Sequence, residues 1–376
     1  MADKIAPLAA EVVASLHHPG YEGRTGGING ISWSPDGTML ATGHGPSGAI
    51  RLWKVGAWRM LAELLPDPDW KSPGGIERLC FSSDGESLFS FRAGGCEVWS
   101  VTSRRLIWRR DRIYPRLLDP LERFVACFSS TLVDAAKGDF EVEGWPCVAS
   151  KDTRRVKGLA ERAAPGFRGG HDPIAISYDG HYLGEITGDD FSRSILVRDV
   201  ATWDVAQELV VEESVSVTIG GQVMVVGNSE GEEVDDEEKD KPVPFSFLES
   251  HPTQSPDRRL LAINTWNRCC YIIETGVLPW RVARAVPNCD VFAWSPDNRL
   301  IACAIPHGFE IREVDLHPRR GTTQEMVEWR LIASCKDVDE GEKSYQTSAA
   351  FSPDGLFLAT TMSDSPARVW RVPQGF

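Results

Sequence analysis

One short phrase recurs along this chain and leaves few architectures open to it. In Ile28-Asn-Gly-Ile-Ser-Trp-Ser-Pro-Asp-Gly-Thr-Met-Leu-Ala-Thr42 an alternating strand runs into a Pro-Asp-Gly turn and out along a second apolar strand. The phrase returns at Leu79 to Phe89, Ala175 to Leu183, Phe292 to Ala302 and Ala350 to Ala359. A copy with a weak first strand covers Ser255 to Ala262. Proline presets φ at the second turn position, aspartate caps free backbone amides, and glycine takes the positive φ at the exit. Each hairpin is followed by a third strand that tends to end in tryptophan or a substitute, as in Ile50-Arg-Leu-Trp-Lys-Val55 and Ala367-Arg-Val-Trp-Arg-Val372. A looser fourth strand closes the unit, as in Arg59 to Leu64 and Asp204 to Leu209.

A single four-stranded antiparallel sheet cannot bury both of its faces. Stacking such sheets radially does so and protects their edges. The 376 residues therefore read as one repetitive domain, 1–376, of all-β class: a closed β-propeller of four-stranded antiparallel blades. Units fall at about 27–65, 74–110, 170–211, 250–286, 288–335 and 345–372, and a poorly matched one at 112–160 makes seven. The hairpin Val215 to Val226, turning at Gly220-Gly221, is either an insertion or a truncated eighth blade; seven is the favoured count. The last unit has three strands and an orphan strand, Glu11 to Leu16, precedes the first. That strand is expected to complete the last blade, so removing the first 16 or so residues should cost solubility.

The Ser-Pro-Asp-Gly turns, the Leu-Trp-Lys-Val type endings and the Gly170-His171 dipeptide resemble the WD-repeat family over about residues 11–373. The resemblance implies a non-catalytic platform that holds other proteins, commonly on the face carrying the second-to-third strand loops. The chain also departs from the pattern. Only Trp53, Trp99 and Trp370 keep the tryptophan, and one unit keeps Gly-His. The family's buried Asp-His-Ser-Trp hydrogen-bond network is therefore expected to be mostly absent.

Composition narrows the partners. A net charge of −14 and a pI near 5.1 repel phosphate backbones, which argues against nucleic acid and favours proteins or peptides with basic segments. The run Glu230-Gly-Glu-Glu-Val-Asp-Asp-Glu-Glu-Lys-Asp240 cannot pack against itself, so 229–243 is expected to be a flexible acidic loop, either merely solvated or a lure for such a segment. The nine cysteines include no C-x-x-C pair, and Cys80, Cys127 and Cys303 sit in apolar runs. With no signal-like leader and no membrane-length apolar stretch, they point to reduced thiols in the cytoplasm and to no membrane partner.

No G-x-S-x-G elbow, phosphate-binding glycine loop, H-E-x-x-H or zinc-spaced Cys/His set is present. The expectation is accordingly no enzyme, no cofactor and no metal. The alternative is a propeller enzyme or small-ligand sensor whose site is assembled in the central channel from several blades. Candidate partner contacts lie on the second-to-third strand loops: His44, Arg92, Asp190, Trp266, Asn267, Arg268 and His307, with His17, His18 and Arg24 ahead of the first blade. Tryptophan and arginine dominate interface hot spots, which singles out Trp266 and Arg268. The competing assignment for each is a solvated or turn-capping side chain. Trp33, Trp58, Trp203 and Trp294 recur at fixed positions in their units, which argues for packing between blades.

Overall fold

The computed structural model describes residues 8–18, 27–66, 75–82, 84–92, 95–111, 113–118, 125–129, 172–177, 179, 181–189, 192–199, 202, 204–209, 216–219, 222–225, 252–264, 269–287, 290–305, 308–314, 329–336, 346–362 and 365–374. Among these there are strands and turns and no helix.

Two strands lead the chain, β1 (Leu8–Ala9) and β2 (Glu11–Leu16). The first sheet is β3 to β6 (Ile28–Trp33, Met39–His44, Ile50–Lys54, Arg59–Leu64), and the second is β7 to β10 (Ile76–Phe81, Ser87–Arg92, Gly95–Ser100, Leu106–Asp111). A two-stranded pair, β11 (Ile113–Leu118) and β12 (Val125–Ser129), precedes the sheet β13 to β16 (Asp172–Ile176, Tyr182–Asp189, Ser192–Asp199, Val205–Leu209). The hairpin β17 (Ser216–Ile219) and β18 (Gln222–Val225) then comes before β19 to β22 (Thr253–Gln254, Leu260–Asn264, Cys269–Glu274, Arg281–Pro287). The chain continues through β23 to β26 (Asp290–Trp294, Leu300–Ile305, Gly308–Glu313, Leu331–Lys336) and closes with β27 to β29 (Gln346–Phe351, Phe357–Met362, Ala367–Arg371). Within each of the larger sheets these consecutive strands are antiparallel neighbours.

The orphan strand completes the last sheet. β2 pairs antiparallel with β29 from Glu11↔Arg371 to Leu16↔Ala367, giving the order β2-β29-β28-β27. β1 was not legible as a separate element. It lies parallel on the outer strand β26, with Leu8 opposite Ala333, and makes that sheet five-stranded.

The recurrent turn owes its shape to a serine as well as to proline, aspartate and glycine. Ser34 Oγ donates to Asp36 Oδ1 at 2.6 Å and accepts from Met39 N–H, while Asp36 also accepts from Thr38 N–H. The Ser-x-Asp bond repeats at Ser82–Asp84, Ser177–Asp179, Ser255–Asp257, Ser295–Asp297 and Ser352–Asp354. Where glycine is missing, Arg258 and Asn298 take its place at φ of 57° and 60°, a strained position that the hydrogen-bonded turn holds in place.

Neighbouring sheets share apolar seams. Trp33 and Trp370 illustrate the pattern, the first packing with Leu16, Ala359 and Val369 of the last sheet and the second with Ile311 and Ile332 of the sheet before it. The expected packing role of the repeated tryptophans holds where they are described. Trp33 Nε1–H donates to Ala350 O and Trp294 Nε1–H to Thr253 O, each reaching the first strand of the preceding sheet. Trp58 packs edge-on against Trp33 and against Phe357 of the last sheet; Trp203 lies outside the described residues. Amide side chains add staples at other seams. Asn264 Oδ1 accepts from Val291 N–H and its Nδ2 donates to Val291 O, and Gln207 grips the Trp280 backbone in the same way.

That second staple bears on the unassigned hairpin. The sheet β13–β16 and the sheet β19–β22 pack directly on each other, with Ala175, Ile195 and Val197 against Leu261, Tyr271 and Trp280. Gly184 is required there, because a Cβ at that position would overlap the Trp280 ring. β17 and β18 fall between these sheets in sequence but form a separate two-stranded pair.

Candidate functional site

Because the strands of a sheet alternate in direction, its Ser-x-Asp turns all leave from one end. The second-to-third strand turns and the connections to the next sheet leave from the other. Of the candidate partner residues, His44 and Arg92 are described at this second end, whose described part is built from buried polar networks.

In the first sheet β4 brings Thr42 and β5 brings Trp53 to the seam with the last sheet. Thr42 Oγ1 accepts from Trp53 Nε1–H at 2.8 Å and is hydrogen-bonded to His18 Nε2 at 2.8 Å. The His18 ring stacks on His44 with centroids 5.8 Å apart, and His44 Nδ1 meets Ser47 Oγ at 2.7 Å. Burial, then the Arg51 charge and the neighbouring His44, pull the His18 pKa down to about 3, so the ring is neutral near pH 7. Arg51 pairs with Glu63 at 2.6 Å and donates to His17 O, which fixes the chain as it passes from the last sheet to the first.

The second sheet solves the same problem with charges. Glu97 Oε2 accepts from Ser90 Oγ–H, Arg92 Nε–H and Trp99 Nε1–H at 2.9, 2.7 and 3.3 Å. Both Arg92 and Glu97 side chains are 0% exposed. Arg92 also donates to Gly48 O of the first sheet. The last sheet retains Trp370 Nε1–H donating to Thr360 Oγ1. Of the Asp-His-Ser-Trp network expected to be mostly absent, the first sheet keeps a His-Thr-Trp part, the second carries Glu97 and Arg92 instead, and the last keeps a Thr-Trp bond. Its histidine escaped notice because His18 follows His17, not glycine, and lies 24 residues before its partner Thr42. Glu97 gave no motif at all.

The structure corrects the placement of two candidates. His44 and Arg92, expected on exposed loops, end β4 and β8 as buried residues, and what they contact is the molecule itself. His18 is likewise buried, whereas His17 is exposed. Asp190, Trp266, Asn267, Arg268, His307 and Arg24, and the acidic segment 229–243, lie outside the described residues. Among the described residues, no group of three or more His, Cys, Asp or Glu could hold a metal ion. No described helix is long and apolar enough to cross a membrane.

Comparison with known proteins fits this geometry. The family described as WD domain, G-beta repeat, matches residues 13–54, the span that contains His18, Thr42 and Trp53. Over 102 residues, 26% of this chain, the sequence is 35% identical to apoptotic protease-activating factor 1 of Homo sapiens, a match spanning 8% of that protein. Among solved structures, the β-propeller domain of Cps50 (Swd1) from Myceliophteria thermophila is similar with a TM-score of 0.58 and 13% identity, over 97% of this chain and 100% of that one. Hydrazine synthase of Kuenenia stuttgartiensis is similar at 0.59 and 16%, over 96% and 100%. A chain in the mitotic checkpoint complex is similar at 0.58 and 15%, over 99% and 94%. At these identities the likeness is one of fold.

Proposed function

We propose that the chain is a WD-repeat propeller, as the match over residues 13–54 supports, and that it is a non-catalytic platform for protein–protein interaction. Its loops are presented from the end of the ring opposite the Ser-x-Asp turns. The observation that carries this reading is the construction of that end. His18, His44, Arg51, Arg92 and Glu97 are spent on internal bonds and give the loops a fixed base. Fixed loops lose little freedom on binding, which favours affinity. Half-buried positions on the inner strands β3 and β27 are Asn29, Ser32, Ser348, Ala349 and Ala350, while Glu77 and Arg78 of β7 are exposed. One of the structural neighbours is a chain of the mitotic checkpoint complex, a protein assembly, which supports the same reading.

In this reading the ring closes with seven blades, since the sheets on either side of β17–β18 already pack together. Residues 210–252 are then an excursion, whose acidic run meets a basic segment of the partner. Buried thiols such as Cys335, whose pKa burial pushes up to about 12, behave as small apolar groups and fit a cytoplasmic setting. The test is affinity capture beside a Trp266→Ala/Arg268→Ala variant of confirmed fold. Proteins held by the parent chain and lost by the variant support the platform and its face. Equal capture by both removes those residues from the site, and no capture by either at physiological salt removes the reading.

A further inference from the structure

Outer strands of blades are exposed edges that invite pairing with other chains, and charged residues within the strand discourage it. The outer strands β6, β10, β16 and β22 each hold such a charge: Glu63, Arg109, Glu208 and Arg284. β26 reads Leu331-Ile-Ala-Ser-Cys-Lys336 and has none before its last residue. It is also the outer strand that carries an addition. β1 lies parallel on it, with Ala9 opposite Ser334, and Ala10 N–H donates to Ser334 O at 3.1 Å. The edge is therefore competent to bind a strand, and the resident strand shows what chemistry fits.

We propose that the outer edge of β26 is a strand-addition site for an extended segment of a partner protein, and that residues 8–10 of this chain are its displaceable occupant. The proposal rests on the interaction-platform reading and names a second surface for it, away from the loops. The resident contact is short. Two parallel residue pairs hold β1, whereas β2 is held by an antiparallel ladder from Glu11↔Arg371 to Leu16↔Ala367. Parallel pairing is also the weaker kind. Residues 8–10 can therefore leave while β2 stays and the last sheet remains complete. The partner's side chains are constrained unevenly. Ala9 is exposed, so any residue fits at its position. Ala10 is half-buried against the seam formed by Ala333, Cys335 and Trp370, so that position takes a small uncharged residue. Affinity comes from the backbone and selectivity from that one small residue, as in other cases of strand addition.

The test uses a fluorescein-labelled peptide of residues 5–11, Ile-Ala-Pro-Leu-Ala-Ala-Glu, and reads anisotropy. A chain lacking residues 1–10, with its fold confirmed by circular dichroism, should bind the peptide at least tenfold more tightly than the full chain. Ser334→Pro in the shortened chain should abolish binding. Ser334 turns its carbonyl outward, and its N–H lies on the same side, so proline removes an edge donor that the rest of the sheet does not use. Arginine at the Ala10 position of the peptide should abolish binding as well. Equal binding by the full and shortened chains, or indifference to Ser334→Pro, overturns the site. Hydrogen exchange on the full chain gives a readout that needs no truncation. The Ala10 amide should exchange at least tenfold faster than the paired amides of β2, and exchange in step with them would show that the edge never opens. Failure of these arms leaves the loop-face reading to stand or fall on its own capture experiment.

Discussion

Replacing Arg92 by methionine leaves Glu97 as a buried carboxylate stripped of its charge partner and removes the bond to Gly48 O. Breaking a buried pair from one side costs about 3–5 kcal/mol, while replacing both members by apolar groups is often nearly neutral. Urea unfolding should therefore show Arg92→Met losing stability of that order and Arg92→Met/Glu97→Leu recovering much of it. His18 gives a second prediction at this scale. Its folded pKa of about 3 lies below the ordinary 6.5. The unfolded chain thus takes up a proton below pH 6.5 that the folded chain refuses. Stability from this group is complete above pH 6.5 and declines as pH falls toward 3, by at most about 1.4 kcal/mol per pH unit. Between pH 6.5 and 4.5 the parent chain should lose more stability than His18→Gln in denaturant titrations. Equal slopes would place His18 in a solvated site.

At the scale of elements, most of the strands were legible because turn chemistry and alternation repeat together. The Ser-x-Asp bond that fixes Asp36, Asp84 and Asp354 is local, and local signals survive in a single sequence. What could not be read are the bonds that cross from one sheet to the next. Thr42 meets His18 across 24 residues, and Gln207 meets Trp280 across 73, with no spacing rule to announce either pair. For the same reason His44 and Arg92 looked like loop residues. His44 ends its strand between two glycines and Arg92 ends its strand just before Ala93-Gly94-Gly95, and contacts from the neighbouring sheet help to bury each. The orphan strand was different, since a three-stranded last unit asks for a partner. Deleting residues 1–16 should remove β2 and expose the β29 edge with its apolar face. The expected result is insoluble or non-cooperatively unfolding protein, whereas deleting 1–9 should leave a soluble chain with a sharp thermal transition. Sedimentation and thermal melts of the two truncations decide this.

Over the whole molecule the account turns on what is ring and what is excursion. The sheets β13–β16 and β19–β22 share a buried core centred on Trp280, and the proposed seven-bladed ring requires the 210–252 segment to be dispensable for closure. Elsewhere in the chain, two residues suffice to connect β22 to β23, so a short link at this place is geometrically ordinary. Nothing in the linear sequence separated an inserted hairpin from a truncated blade; the packing of the flanking sheets on each other supports the proposed insertion. The most direct measurement is thermal unfolding, followed by circular dichroism, of a chain in which residues 211–251 are replaced by an eight-residue Gly-Ser linker. A seven-bladed ring predicts one cooperative transition within about 5 °C of the parent chain, since such a surface excursion contributes little to stability. Loss of the cooperative transition would mean that the segment is a blade, and would contradict the seven-bladed ring.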